Sequence, residues 1–175
     1  GSGFSVELVS DGTEWHSIGA PQPVRMFCAD SATDAVTEDI WTLVTFGDLR
    51  YDHPRGSETG FDVPNSKYVV PNLNGGDIIY EFSASVEIGA VGTDGYAQIR
   101  LLNGVTPIAY GPMAYTSVPA ATLIAPLNTS IKFFSVAATK DLTIEVLVHT
   151  AHVPGMAVKN TSATFFAGRQ TYEKT

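Results

Sequence analysis

The sequence contains little cysteine, little positive charge and no long apolar segment. Cys28 is the single cysteine, so no disulfide can form within the chain. Ten basic residues stand against eighteen acidic ones, which gives a formal net charge of -8, and no run of Lys or Arg could neutralise a phosphate backbone. The apolar runs fall well short of the ~20 residues that a membrane-spanning helix needs. We therefore expect neither a nucleic-acid partner nor insertion into a membrane.

The sequence also lacks the motifs of the common enzyme classes. None of its four histidines stands in a catalytic pattern, and no nucleophile elbow, zinc-protease motif, phosphate-binding glycine loop or paired cysteine set occurs. His149 and His152 are three residues apart, but the first ends a predicted strand and the second lies in a loop, so their spacing does not predict a shared metal. We expect a protein that is not an enzyme. Polysaccharide hydrolysis is the enzymatic alternative, since it requires only two facing carboxylates, which a sequence cannot place.

Apolar residues and turn formers are abundant. The chain is 44% hydrophobic and contains 16 Gly and 10 Pro, values that fit a folded domain rich in strands and turns. Its 175 residues suit a single domain that buries roughly 70% of the surface exposed by the unfolded chain. We expect residues 1–22 to be an N-terminal strand or linker with probable tag residues at its start, and residues 23–175 to form the folded domain.

Alternation of apolar and polar residues is clearest in residues 78–88, and it recurs in residues 142–148. This period of two is typical of a strand with one face in a core and the other in water. Weaker patterns predict further strands, and a polar connection is expected at residues 47–60. The predicted additional strands are residues 4–9, 23–30, 40–46, 95–103, 106–110, 129–137 and 162–172. About eight to ten short strands without a packed helix predict an all-β sandwich or barrel of antiparallel sheets.

The segment Phe61 to Ile88 also carries a motif. An aromatic-Asp pair, Lys-aromatic-Val, Val-Pro, a Gly-marked turn and aromatic-X-Phe-Ser follow one another in FDVPNSKYVVPNLNGGDIIYEFSASVEI. This order resembles the central motif of the trimeric jelly-roll superfamily that contains the complement first-component globular heads and the tumour necrosis factor (TNF) ligands. The stretch around Phe165, Phe166 and Gly168 is similar to the closing strand of that superfamily. The resemblance implies a single-domain, TNF-like antiparallel jelly-roll β-sandwich.

The resemblance further implies a homotrimeric head domain that displays loops to a partner. Four apolar residues offer more surface than one core needs, so we expect Trp41, Leu43, Phe134 and Phe166 at the subunit interface. For Trp41 and Leu43 the alternative is cover by a loop of the same chain. We expect a receptor-binding or adhesion head of a fibre or spike, located outside the cell or on a virion or particle surface. The absence of disulfides and the scarcity of lysine favour a phage or phage-like fibre.

Aromatic residues in or beside predicted loops are the candidate ligand contacts. A sugar ring can stack its apolar face on an exposed aromatic ring, and binding residues concentrate in loops. We expect Tyr51, Tyr96, Tyr110 and Tyr115 to contact a cell-surface polysaccharide or protein receptor. Two alternatives are a monomeric carbohydrate-binding module and a structural capsid or decoration protein that binds no receptor.

Four carboxylates cluster in or near the polar connection: Asp48, Asp52, Glu58 and Asp62. Calcium takes several oxygen ligands, often from loops, but no EF-hand spacing occurs here. We expect no cofactor, with Ca²⁺ at these carboxylates as the alternative, and we assign no metal-binding residue from the sequence.

Overall fold

The computed structural model describes residues 7–10, 15–18, 25–31, 33–54, 58–92, 94–118, 121–150 and 156–174. These residues form β-strands and one 3₁₀ turn (Val63–Asn65). The strands are β1 (Glu7–Ser10), β2 (Trp15–Ile18), β3 (Met26–Ser31), β4 (Asp34–Ala35), β5 (Thr42–Leu43), β6 (Phe46–His53), β7 (Phe61–Asp62), β8 (Lys67–Val70), β9 (Gly76–Val91), β10 (Gly95–Asn103), β11 (Thr106–Tyr110), β12 (Ala114–Thr116), β13 (Ala121–Val136), β14 (Lys140–His149), β15 (Ala157–Val158) and β16 (Phe165–Lys174). No helix long and apolar enough to cross a membrane occurs in this part of the chain.

Two antiparallel sheets form the sandwich. Sheet I has the order β11-β10-β14-β8-β7, with β12 also paired to β10 and β5 to β14. Sheet II has the order β4-β15-β9-β16-β3-β6, with β13 also paired to β9, while β1 and β2 form a separate hairpin. The chain crosses between the sheets from β8 to β9, from β9 to β10 and from β13 to β14, as expected for a jelly roll. The predicted all-β antiparallel sandwich is therefore confirmed. The predicted boundary between residues 22 and 23 lies outside the described residues.

The core lies between the sheets and follows the alternation in the sequence. In β9 every second side chain points inward, and these residues are 0–2% exposed: Ile78, Tyr80, Phe82, Ala84, Val86 and Ile88. The inward residues of β14 face them from sheet I and are fully buried: Leu142, Ile144, Val146 and Val148. Burying each large apolar side chain contributes about 1.5–3 kcal/mol. The two most regular patterns in the sequence therefore specify the two sides of the core.

A cluster of aromatic rings fills one part of this core. Phe166 meets Phe27 edge to face with ring centroids 4.9 Å apart, and Phe46 meets Phe61 at 5.9 Å. The prediction that Phe166 lies at a subunit interface is wrong, because this side chain is 0% exposed within its own chain. Alternation along β16 turns Phe166 inward and leaves the neighbouring Phe165 only half-buried on the outer face.

Strands β5, β6 and β13 differ most from the sequence prediction. The expected polar connection at residues 47–60 contains most of β6, which pairs with β3 at the edge of sheet II. Most β6 side chains after Phe46 are exposed, so the strand has no apolar alternation. The predicted strand at residues 40–46 shrinks to β5, whereas β13 begins at Ala121 rather than at residue 129.

The predicted turn at Asn103-Gly104 is shifted by one residue. Asn103 pairs with Thr106, so Gly104 and Val105 form the two-residue turn between β10 and β11. Gly104 has a φ of 60°, and Val105 is not among the residues with positive φ. Positive φ at the first central position alone is the pattern of a type II′ turn, which favours glycine there.

A buried arginine joins the beginning of β3 to the end of β16. Arg25 is 3% exposed, and its guanidinium contacts Glu58 at 2.5 Å and Glu173 at 2.5 Å. The same group donates to Gln170 Oε1 at 3.1 Å. Burial opposes the charge of Arg25, but the ion pairs with the two glutamates raise its pKa above the ordinary value. The pairing offsets the desolvation of the guanidinium.

Candidate functional site

The outer face of sheet I carries a row of aromatic side chains. Tyr115 lies directly opposite Tyr96, and Tyr96 lies directly opposite His149, across β12, β10 and β14. Directly paired residues point to the same side of a sheet, so the three rings are neighbours. Their ring centroids are 5.9 Å apart for Tyr96 and Tyr115 and 5.0 Å apart for Tyr96 and His149. We call these three residues the aromatic row.

A second row crosses the same face farther along β10. It consists of Tyr110, Arg100, Glu145 and Leu43, each opposite the next in the register. Arg100 donates to Glu145 at 2.6 Å. The ring of Trp41 lies over the Arg100 guanidinium at 4.2 Å and meets Tyr110 at 6.0 Å. We define the aromatic face as the aromatic row together with Trp41 and Tyr110.

Two rings of the aromatic face are available to a ligand. Tyr115 is 68% exposed and Tyr110 is 56% exposed. Trp41 is half-buried because Arg100 and Tyr110 of its own chain cover part of its ring. Leu43, also predicted at a subunit interface, remains exposed at the end of the second row. The aromatic face therefore combines accessible rings with rings held by their neighbours.

Acidic groups lie beside the end of the aromatic row. Asp39 Oδ1 is 2.7 Å from His149 Nδ1. A carboxylate oxygen of Glu38 joins them, and the three ligand atoms lie within 4.8 Å of one another. The backbone N–H of Asp39 donates to Val148 O at 2.9 Å, which fixes the turn against β14. Hydrogen-bond acceptors, a ring nitrogen and stacked rings thus meet at one edge of the face.

Tyr51 lies apart from the other three predicted tyrosines. It borders a concavity of about 490 Å³ on the outer face of sheet II. Ala167 and Ser83, which line the concavity, lie opposite each other in the register, and Cys28 is paired with Ala167 on one side and with Tyr51 on the other. The wall opposite Tyr51 is polar and includes Asn128, which accepts from Ser83 Oγ at 2.8 Å.

The single cysteine, Cys28, lacks the environment of a reactive thiol. Cys28 is buried, and burial raises the pKa of its thiol. The reactive form of cysteine is the thiolate, which a raised pKa disfavours at neutral pH. We assign Cys28 a packing role beneath the concavity.

Three of the four carboxylates considered for calcium have other contacts. Glu58 pairs with Arg25, and Asp52 accepts from the backbone N–H of Phe61 at 2.7 Å. Asp62 caps the 3₁₀ turn and accepts from Asn65 Nδ2 at 2.8 Å. In the described ranges, the one group of three metal-ligating side chains within ion-sharing distance is Glu38, Asp39 and His149.

Sequence reasoning identified the tyrosines but not their arrangement. Tyr96 and Tyr110 lie near one end of the predicted strands β10 and β11, beside loops, and Tyr115 lies in the short strand β12, which the sequence does not predict. The sequence predicts Trp41 at a subunit interface, and it gives no signal that Asp39 is a functional residue. The alternation of Tyr96, Gln98 and Arg100 with buried Ala97 and Ile99 was the signal for an outward face.

Comparison with known proteins gives a fold but no family. No protein-family model matches the sequence, and no curated protein matches it. Crystal structures of murine APRIL, a TNF-like jelly roll, do match. The structure at pH 8.0 has a TM-score of 0.57 at 10% identity and covers 85% of this chain and 100% of that one. The structure at pH 8.5 has a TM-score of 0.53 at 10% identity, with 86% and 100% covered. At such identity the likeness concerns the fold alone, and together with the order of the sheets it identifies this protein as an antiparallel, TNF-like jelly-roll sandwich.

Proposed function

We propose that this protein is a non-enzymatic head domain of a fibre or spike that binds a cell-surface glycan or protein through the aromatic face. The observation that carries the proposal is the aromatic row, in which Tyr115 is 68% exposed and Tyr96 stacks on His149 on one side and meets Tyr115 at a tilt of 53° on the other. Tyrosine is enriched in binding surfaces, because its ring buries a large apolar area and its hydroxyl can hydrogen-bond.

The strands give this surface a fixed shape. Tyr96 and His149 lie in the two central strands of sheet I, whose inner sides are fully buried. Rings held on such a scaffold lose little conformational entropy when a ligand binds. A sugar stacked on Tyr115 would find the carboxylates of Glu38 and Asp39 as hydrogen-bond acceptors along the same row.

Homotrimeric assembly forms part of the proposal. It is supported by the resemblance to a trimeric superfamily and by exposed apolar residues outside the aromatic face. Phe134 on sheet II is 68% exposed, and Leu43 on sheet I is 42% exposed. In a ring with threefold symmetry each subunit contributes two different surfaces, so interface residues on both sheets are compatible with one type of contact.

The same reasoning places the protein outside the cell or on a virion or particle surface. A head domain that binds a surface receptor must be displayed there. The lack of any possible intrachain disulfide and the scarcity of lysine support a phage or phage-like fibre as its context.

A binding experiment with matched tyrosine variants tests the proposal. The purified domain is applied to a panel of immobilised bacterial and animal glycans and to whole cells, alongside Tyr96→Ala, Tyr115→Ala and the control Tyr172→Ala. Tyr172 is 44% exposed on sheet II, away from the aromatic row. A ring contact is worth about 0.5–1.5 kcal/mol, so each row variant should bind roughly 2–10-fold more weakly, with Tyr172→Ala unchanged.

Two results would contradict the proposal. Equal binding by the row variants and the wild type would place the receptor site elsewhere, with the concavity beside Tyr51 as the next surface to test. Failure of the wild-type domain to bind any glycan or cell would favour the structural capsid or decoration protein.

A further inference from the structure

Three potential metal ligands of two chemical types converge at the edge of the aromatic face. Asp39 and Glu38 each contribute a carboxylate oxygen, and His149 contributes a ring nitrogen, all within 4.8 Å of one another. Asp39 and His149 are 110 positions apart in sequence, so the fold itself brings them together.

Two of these ligands are held in place by contacts that metal binding would not break. The backbone N–H of Asp39 donates to Val148 O at 2.9 Å, and Asp39 has a φ of 58° that directs the turn onto β14. The His149 ring stacks on Tyr96, with centroids 5.0 Å apart and planes 28° apart. Fixed orientation of a ligating imidazole is what second contacts around metal sites normally supply.

The charge around this group favours a cation. Within the described residues, the ion pair formed by Asp39 is with His149, and no Lys or Arg lies within ion-pair distance of Glu38 or Asp39. Two carboxylates without a permanently charged partner repel one another, and a divalent ion between them would remove that repulsion. The overall charge of -8 acts in the same direction.

We propose that Glu38, Asp39 and His149 form a binding site for a divalent transition-metal ion such as Zn²⁺. Imidazole nitrogen suits zinc and its neighbours, whereas calcium takes six to eight oxygen ligands. Ligand atoms around tetrahedral zinc lie about 3.3 Å apart, given metal–ligand distances of ~2.0–2.1 Å. His149 Nδ1 and Asp39 Oδ1, now 2.7 Å apart, reach that separation with a small rotation of exposed side chains.

The site would leave coordination positions open to solvent. Three protein ligands do not complete a four-coordinate zinc shell, and the open position would lie beside the aromatic row. An oxygen atom of a receptor glycan stacked on Tyr96 or Tyr115 could then bind the ion directly. This consequence rests on the proposed function, whereas the metal site does not.

The first test uses the metal alone. The untagged, metal-free domain is titrated with ZnCl₂ at neutral pH by isothermal titration calorimetry, next to His149→Ala and Asp39→Asn. The control is His53→Ala, an exposed histidine on sheet II. We expect one ion per chain, a loss of more than 10-fold in affinity for each ligand variant, and no change for the control.

A second measurement identifies the ligands independently of the affinity. Visible absorption of bound Co²⁺ reports coordination number and ligand type, and it should be abolished by His149→Ala. Since the three side chains are not in the core, thermal unfolding should confirm that every variant is folded. The proposal is overturned if Zn²⁺ fails to bind at millimolar concentration, if His149→Ala binds like the wild type, or if Ca²⁺ competes equally with Zn²⁺. Loss of glycan binding in the separate receptor experiment would leave these metal titrations unaffected.

Discussion

Two tyrosines share a hydrogen bond in the middle of the core. The hydroxyls of Tyr68 and Tyr80 are 2.8 Å apart, and both residues are at most 2% exposed. Tyr68 stacks on Phe27 at 4.0 Å, and Tyr80 stacks on Phe82 at 5.4 Å. One hydroxyl donates to the other, so neither is left without a hydrogen-bond partner, a loss that costs about 1–3 kcal/mol for a buried polar group.

This pair predicts a loss of stability at high pH. Burial raises the pKa of Tyr80 to about 12 and raises the pKa of Tyr68 as well. Tyrosine in an unfolded chain has a pKa of about 10, so the unfolded state releases these protons first. The stabilisation is complete below pH 10 and is lost as pH rises from about 10 through 12. Urea unfolding at pH 8, 10 and 11.5 should show a falling free energy of unfolding.

The double variant Tyr68→Phe/Tyr80→Phe provides the control. It removes both hydroxyls together and keeps the rings, so its stability at pH 8 should stay close to wild type. Its decline above pH 10 should be smaller. An identical decline in both proteins would mean that other groups cause the alkaline instability.

The hydroxyl pair itself could not be read from the sequence. The alternation in residues 78–88 predicts that Tyr80 points inward, and this is confirmed. It does not predict that the hydroxyl of Tyr68, from a strand in the opposite sheet, lies within hydrogen-bonding distance of the Tyr80 hydroxyl. Such contacts depend on the packing of one sheet on the other, which local periodicity does not contain.

At the scale of elements, β16 shows how closely a strand can approach the aromatic core. A side-chain Cβ at Gly168 would lie 2.4 Å from a Phe27 ring carbon and 2.9 Å from the Phe82 ring. Gly168 is buried between strands β3 and β9, to both of which β16 is paired. The rings occupy the space that a side chain would need.

Replacing Gly168 by alanine should therefore destabilise the domain. Overpacking of a well-filled core costs typically about 1–3 kcal/mol, and here the rings cannot move without disturbing Phe166 and its neighbours. Chemical denaturation gives the measurement, and Ala167→Ser, on the outer face of the same strand, is the matched control. A Gly168→Ala protein as stable as Ala167→Ser would show that the ring cluster is loosely packed.

Strands with one buried face were predictable, whereas the edge strand β6 was not. β9 and β14 were recognised because inward positions are apolar at every second residue. The sequence of β6 predicts a connection because most of its residues are polar. Its strand conformation is stabilised by the hydrogen bonds to β3, which the sequence pattern does not show. The aromatic face depends on the register of β10 with β12 and β14, which long-range pairing determines.

For the whole molecule, the property to test is the proposed trimeric assembly. Phe134 is 68% exposed. The amine of Lys132 lies over its ring, 4.4 Å from the centroid. Aromatic residues such as phenylalanine are enriched in the cores of interfaces, so an open Phe134 is suited to an interface with a second copy. The structural role of Phe134 within its own chain is small, so a change there should affect assembly more than folding.

We expect the wild-type domain to have a mass near three times 18.6 kDa in solution, and Phe134→Glu to reduce it to that of one chain. A charge placed in an apolar interface loses water without gaining a partner. Light scattering coupled to size exclusion, at several concentrations, gives the mass. Val105→Glu is the control, because Val105 is 91% exposed at the tip of a hairpin. A Phe134→Glu protein that remains trimeric would remove this residue from the interface.

The Arg25 cluster has a mechanical consequence. These ion pairs join the start of β3 to the end of β16, since Arg25 precedes β3 and Glu173 lies near the end of β16. The two strands are antiparallel neighbours, so a force pulling residues 25 and 174 apart would act across their hydrogen bonds and open them one after another. The Arg25 ion pairs lie at the end of the β3–β16 pairing where the hydrogen bonds would open first. Their rupture would set the force at which the head begins to unfold under tension.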